Sequence, residues 1–161
     1  MSSLLTRLFS GGEPVLGEAT ARDAAAIARL HGASFRRGWS DGEVEQLLIA
    51  RNVRAHRVMM GGKLVGFILS RIAADEAEIL SVAIAQGARG RGLAGKLLSL
   101  HLRTLAGLGV RTVFLEVGED NMSACRLYVG AGFGEVGRRE GYYPNTNGAP
   151  TAALVLRRDL V

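Results

Sequence analysis

The chain has 161 residues, 48% of them hydrophobic and 22% charged, which suits one compact globular domain and excludes a largely disordered chain. Its net charge of +5 points to an anionic partner, a polyphosphate, nucleic acid or acidic surface; direct nucleic-acid binding is not expected, since no zinc-finger spacing or stacking aromatic motif is present. One cysteine, Cys125, leaves no internal disulfide, and the apolar runs fall short of the roughly 18 residues of a membrane span, so a cytoplasmic protein without membrane contact is expected.

Met1 to Pro14 reads as a flexible N-terminal arm, because Ser10-Gly11-Gly12-Glu13-Pro14 breaks regular structure and Met1 to Phe9 is too short and polar for a signal peptide. The domain proper is expected over residues 15–161. Val15 to Ala19 suggests a first strand. Thr20-Ala21-Arg22-Asp23 resembles a capping box, and Ala24, Ile27, Ala28 and Leu30 continue a helical stripe to about Phe35. Ser40-Asp41-Gly42-Glu43 opens a second helix through Leu47, Leu48 and Ala50. Trp39 sits between the two helices, where it either plugs a gap or lines a substrate entrance.

Ala55 to Met60 and Lys63 to Arg71 are strand-like around Gly61-Gly62, a two-residue hairpin turn. Glu76 to Ala85 is another strand. Leu93 to Leu108 is a strong amphipathic helix, with Leu93, Leu97, Leu100, Leu105 and Leu108 near one face and Gly109 ending it. Arg111 to Val117 alternates as a strand, Val113, Leu115 and Val117 on one face and Phe114 and Glu116 on the other. Asn121 caps a short helix to Ala131. Phe133 to Tyr142 and Thr151 to Leu160 read as closing strands around the loop from Pro144 to Gly148. The pattern is that of a single α/β domain with a mixed sheet.

Gly87, Gly90, Gly92 and Gly95 lie between a strand and the long helix. Glycines there let backbone N–H groups approach a ligand, and the helix N-terminus adds partial positive charge, which together make an anion site. Arg89, Arg91 and Lys96 add three cations. The run Gly90 to Gly95 satisfies a dinucleotide fingerprint, but its first glycine stands too far beyond Ala85, and too little chain follows for a doubly wound sheet. Gly90 to Lys96 mimics a phosphate loop, but Leu97 stands where a magnesium-binding Ser or Thr belongs.

A third pattern fits the whole neighbourhood. Arg89-x-x-Gly92-x-Ala94, preceded by the strand Ile79 to Ile84 and followed by the long helix, resembles the [Q/R]-x-x-G-x-[G/A] signature of the GNAT superfamily of N-acetyltransferases. Leu115-Glu116-Val117, Asn121, Leu127-Tyr128 and Gly132-Phe133 resemble the second half of that family's cofactor site. Arg139-Glu140-Gly141-Tyr142-Tyr143-Pro144 narrows the likeness to the RimI-type ribosomal-protein-alanine branch. The resemblance covers residues 15 to 160 and is densest from Ile79 to Pro144. Glu140 and Gly141 depart from the polar or basic residues frequent before Tyr-Tyr-Pro, which bears on peptide preference more than on chemistry.

The resemblance implies a GNAT fold, a mixed and mostly antiparallel sheet flanked by helices, and acetyl-CoA as co-substrate with no metal. It assigns Glu116 as general base and Tyr128 as general acid. Val82, Ala83 and Ile84 would pair with the pantetheine amides, with a backbone N–H of that strand as oxyanion donor. Arg89, Gly90, Arg91, Gly92, Leu93, Ala94 and Gly95 would hold the pyrophosphate, and Asn121 the pantetheine arm. Trp39, Tyr142 and Tyr143 would border the acceptor groove.

The acceptor implied is a protein N-terminal α-amine, as on a ribosomal protein. The alternatives are a lysine side chain, a small-molecule amine, or a non-catalytic acyl-CoA-binding module. Each position also has a plainer reading: Glu116 a solvated strand end, Tyr128 a core tyrosine, Asn121 a helix cap, Tyr142 and Tyr143 edge aromatics. His31, His56 and His101 lack metal spacing and read as surface or helix-packing residues, and Cys125, with no activating base in view, as structural.

Overall fold

The computed structural model describes residues 12–143 and 151–161, and of Tyr143 only the backbone. Most of the expected arm, residues 1–11, and the loop at Pro144 to Gly148 lie outside the described residues. The elements run β1 (Val15–Glu18), α1 (Ala24–Ser34), α2 (Asp41–Ile49), β2 (Val53–Met60), β3 (Lys63–Ala73), β4 (Glu76–Ile84), α3 (Leu93–Gly107), β5 (Thr112–Gly118), α4 (Met122–Gly130), β6 (Gly134–Tyr143) and β7 (Thr151–Asp159).

Local chemistry accounts for the boundaries. The Ser40 hydroxyl accepts from the Glu43 N–H and starts α2. Before α1 the expected box at Thr20 and Asp23 forms: the Asp23 carboxylate accepts the Thr20 N–H at 2.8 Å, and Arg57 pairs with the same carboxylate. Gly61 and Gly62 both take positive φ in the β2–β3 turn, and Gly109 does so after α3.

Seven strands form one sheet in the order β1-β2-β3-β4-β5-β7-β6. Every neighbouring pair is antiparallel except β4–β5, as the mixed, mostly antiparallel expectation required. On one face α3 packs Leu93, Leu97, Leu98, Leu102 and Leu105 against Val58, Ile68, Ile79, Val113 and Leu115. On the other face Ala24, Ile27 and Ala28 of α1 and Val44 of α2 cover Phe67, Leu69 and Ala83.

The observed stripe of α3 differs from the expected one. Leu108 falls at the helix end, half exposed, and Leu100 is only partly buried, while His101 is fully buried in the seam. Polar identity hid His101 from a pattern that counts only apolar residues. The surface reading of the histidines is corrected as well, because His31, His56 and His101 are all buried.

His56 and His101 face each other with Nδ1 atoms 2.7 Å apart. The chain of hydrogen bonds around them fixes both tautomers. The Thr104 hydroxyl donates to the Leu100 carbonyl, so its oxygen accepts from His56 Nε2–H at 3.3 Å. His56 Nδ1 is then an acceptor and His101 Nδ1–H the donor, leaving His101 Nε2 to accept from the Ser70 hydroxyl at 2.6 Å. A further proton on His56 Nδ1 sets N–H against N–H, so His56 is held neutral beside its partner. Burial, with the neighbouring His56 imidazole acting in the same direction, holds His101 down at about 3; burial also lowers His56, an effect Glu18 opposes.

An unfolded histidine takes up a proton near pH 6.5 and the buried one does not. The stability from His101 is therefore complete above about pH 6.5 and is lost as the pH falls from there toward 3. At pH 5 the loss from His101 is about 2 kcal/mol, or roughly 4–8 °C in Tm for a domain of this size. Thermal unfolding followed by circular dichroism from pH 8 to pH 5 is expected to show this fall, with a shallower slope in His101→Gln.

Candidate active site

Strands β4 and β5 run side by side only through Glu76–Thr112, Ala77–Val113 and Glu78–Phe114. Beyond them β5 stays with β7 to its end, while β4 stays with β3. The two halves of the sheet part into a wedge. In β4 the register against β3 shifts, Leu69 opposing Ser81 and Ser70 opposing Ile79, so Leu80 is an unpaired bulge residue at the point of parting. A bulge bends its strand and re-aims the side chains around it.

The wedge forms one cleft with two arms, joined at Phe35, Val82, Asn121, Ala124 and Tyr128. The first arm, about 470 Å³, runs past Val82, Ala83, Ile84, Arg89 and Ala94 toward the start of α3. There Gly90 and Gly92 adopt φ of +80° and +72°, and Gly92 as N-cap offers no side chain to the first helical N–H groups. Those donors and the helix dipole stay free for an anion, and Arg91 and Lys96 are exposed beside them. Arg89 is partly committed: its Nε–H donates to the Ile84 carbonyl at 3.1 Å and ties the turn to β4. Leu93 is buried in the core, so only its backbone reaches outward, and Gly95 borders a separate groove between α3 and α4.

The second arm, about 350 Å³, is lined by Leu80, Ser81, Glu116, Asn121, Tyr128 and Thr151. Tyr128 is buried and packs edge-on against Phe133, yet its hydroxyl bonds to no other described residue. Burial pushes this phenol up to about 12, with Cys125 adding to the shift, so it is fully protonated at neutral pH. Glu116 stands on the face opposite Val113, Leu115 and Val117, and its carboxylate accepts from Arg139 at 2.7 Å. The Arg139 guanidinium also lies 4.5 Å over the Tyr142 ring. Tyr142 is thus linked to the cleft through Arg139, and the Tyr143 side chain lies outside the described residues.

Asn121 caps α4, its Oδ1 accepting the Ala124 N–H at 3.3 Å, and it also lines both arms. Cys125 donates weakly to the Gly118 carbonyl; burial, with Asp120 and Glu119, raises its thiol, which fits a structural residue. Trp39 does not line the cleft. It stacks on His31 at 4.0 Å and gives its backbone N–H to His31 Nδ1, while Phe35, 4.5 Å from the same imidazole, lines both arms.

Sequence reasoning missed Phe35, Ser81 and Arg139. Arg139 stood inside a quoted motif without a role, Phe35 only marked the end of a helix, and Ser81 carried no local signal.

The description of the Acetyltransferase (GNAT) family matches residues 24–133. The chain belongs to this family. It is 32% identical over 99 residues to the [ribosomal protein bS18]-alanine N-acetyltransferase of Escherichia coli K12, an alignment covering 62% of this chain and 67% of that one. Its fold matches the crystal structure of the ribosomal-protein-S18-alanine N-acetyltransferase from Escherichia coli with a TM-score of 0.84 at 24% identity, over 92% of this chain and 94% of the other. It also matches Arabidopsis thaliana NAA60 in complex with acetyl-CoA, with a TM-score of 0.78 at 18% identity, over 92% and 99% of the two chains. The protein is an acetyl-CoA-dependent N-acetyltransferase.

The cleft fits that co-substrate: an anion cradle at one end, an unpaired strand edge for amide pairing along its length, and a phenol at the other end. Among the described residues no cluster of metal-ligating side chains occurs, and no helix is long and apolar enough to cross a membrane. A β-branched side chain at the left-handed Gly92 is strained and disrupts the cradle. Gly92→Val is expected to weaken acetyl-CoA binding tenfold or more by calorimetry. Gly87→Ala, where a Cβ meets open space, is expected to stay within twofold.

Proposed function

We propose that the enzyme acetylates a protein N-terminal α-amine, that of a ribosomal protein, with Glu116 as base and Tyr128 in the general-acid position, its hydroxyl donating a hydrogen bond to the leaving sulphur. The observation that carries the chemistry is the shared cleft: a carboxylate from β5 and a phenol from α4 line one arm, beyond a cradle suited to pyrophosphate. The acceptor class rests on the likeness to the bS18-alanine enzyme of Escherichia coli.

Acetyl-CoA supplies an acyl group activated as a thioester. An α-ammonium has a pKa of about 7.7–8.0, so at neutral pH most of it must lose a proton before it attacks. Glu116 takes that proton, directly or through a water. The N–C bond then forms as the C–S bond breaks. The unpaired edge of β4 offers N–H groups to the thioester oxygen, and the Tyr128 hydroxyl donates to the departing sulphur. In sum one acetyl group moves, CoA leaves as its thiol and one proton goes to solvent.

Arg139 gives the carboxylate a fixed direction. An entering ammonium is the chemical equivalent of that guanidinium and competes with it for Glu116. Cytoplasmic location suits both the ribosomal acceptor and the single free cysteine.

Peptides with free, blocked or lysine-only amines, incubated with acetyl-CoA and read by mass spectrometry, test the acceptor. Acetylation confined to free N-termini is expected; modification of blocked peptides at lysine overturns the α-amine reading, and absence of CoA release with every amine overturns the catalytic one. Tyr128→Phe is expected to lower kcat about a hundredfold with acetyl-CoA affinity within twofold, because the hydroxyl bonds to no other described residue. Glu116→Gln is expected to alter the acidic limb of the kcat/KM profile, and an identical profile makes a water chain the base.

A further inference from the structure

Among the described residues, one buried side-chain oxygen or nitrogen has no hydrogen-bond partner: Ser81 Oγ. The residue is only 7% exposed, so its hydroxyl has given up bulk water and received nothing from the protein. Such a group ordinarily costs stability, which makes an orphan in a well-packed strand a feature to account for. Its place supplies the account. Ser81 follows the Leu80 bulge and lines the same arm of the cleft as Glu116 and Tyr128.

The faces of the two strands sharpen this. After the bulge, Val82 and Ile84 pack with the α3 core and Ala83 with the α1 core, so alternation puts Ser81 on the α1 side. On β5, Val113, Leu115 and Val117 belong to the α3 core, which puts Glu116 on the α1 side too. Ser81 and Glu116 therefore flank the wedge from its two banks, on the same side of the sheet. The anion cradle opens from the start of α3, on the other side. Without the bulge, Ser81 would have swapped faces with its neighbours and pointed into the α3 core.

We infer that Ser81 is a catalytic residue that accepts a hydrogen bond from the acceptor amine and holds it for attack, an assignment that rests on the acetyl-transfer reading above. An ammonium has three donors and no acceptor, so it needs several oxygens around it. Glu116 supplies one, and Ser81 Oγ supplies a second from the opposite bank. After one proton leaves to Glu116, the remaining N–H on Ser81 keeps the nitrogen lone pair turned toward the thioester carbon. A hydroxyl suits this task because its hydrogen rotates away and presents oxygen, and because it stays neutral beside the carboxylate.

Substitution separates this role from a structural one. In Ser81→Ala, kcat/KM for the acceptor is expected to fall about tenfold or more, with acetyl-CoA affinity by calorimetry unchanged. Its Tm is expected to be equal or higher, because removing an unpaired buried hydroxyl removes a penalty. Ser81→Thr, which restores a hydroxyl, is expected to return activity to within about threefold of the parent. Wild-type kcat/KM in Ser81→Ala overturns the assignment. So does a drop in Tm and acetyl-CoA affinity that matches the loss of activity, since that marks the hydroxyl as structural. The assay uses whichever amine the parent enzyme acetylates, so failure of N-terminal peptides as acceptors bears on the acceptor class and not on Ser81.

Discussion

Three residue pairs hold β4 beside β5, and the site depends on there being only three. The parallel join requires a crossover, which α3 supplies, and the leucines of α3 clamp both strands near that join. Past it, β5 follows β7 and β4 follows β3, so the sheet splits into two halves that share one hinge. Backbone groups on the parted edges lack a neighbouring strand, and buried backbone polar groups demand partners. A ligand with amides spaced along an extended arm meets that demand. The bulge at Leu80 reinforces the parting and gives both Leu80 and Ser81 to the α1 side of the sheet.

Charge is distributed along this cleft in a way the net value of +5 conceals. The cradle end carries Arg89, Arg91 and Lys96, while the far end carries Glu116 with Arg139 across it. Nearby, Arg138 is engaged by Glu119, Glu135 and Glu140 together. Exposed ion pairs contribute little to stability, so the Arg139–Glu116 pair matters for direction rather than for holding β6 to β5. The strand pairing of β7 with both neighbours already does that.

Much of the fold was legible because local chemistry announced it. Ser40 and Asn121 were readable as caps, Gly61-Gly62 as a turn, and the alternation of Val113, Leu115 and Val117 as a face, since each signal is complete within a few residues. The glycines at 90 and 92 were legible for the same reason. What escaped depends on pairing between distant segments. The bulge at Leu80 exists only relative to β3, and the orphan state of Ser81 only relative to everything packed around it. His56 and His101 are 45 residues apart, and no periodicity links them. Trp39 was placed near the right loop, but its stacking on His31 turns it into support, and Phe35 takes the position at the cleft. The family resemblance named Glu116 and Tyr128; only the geometry revealed that Arg139 already occupies the carboxylate.

The acidity of Tyr128 constrains how the proposed chemistry can run. Burial lifts its phenol to about 12, whereas an ordinary thiol ionises near 8.5, so full transfer of the proton to a free thiolate is uphill by about 5 kcal/mol. A discrete proton transfer after C–S cleavage is therefore the wrong picture for this tyrosine. In the proposed mechanism its contribution is a hydrogen bond that strengthens as charge gathers on sulphur, greatest at the transition state and weak before it. Keeping the phenol neutral also avoids a second anion in a cleft that already holds Glu116 and has one guanidinium close to that carboxylate. Under that proposal the thiol's proton comes from solvent as CoA departs, and the tyrosine needs no reset between turnovers.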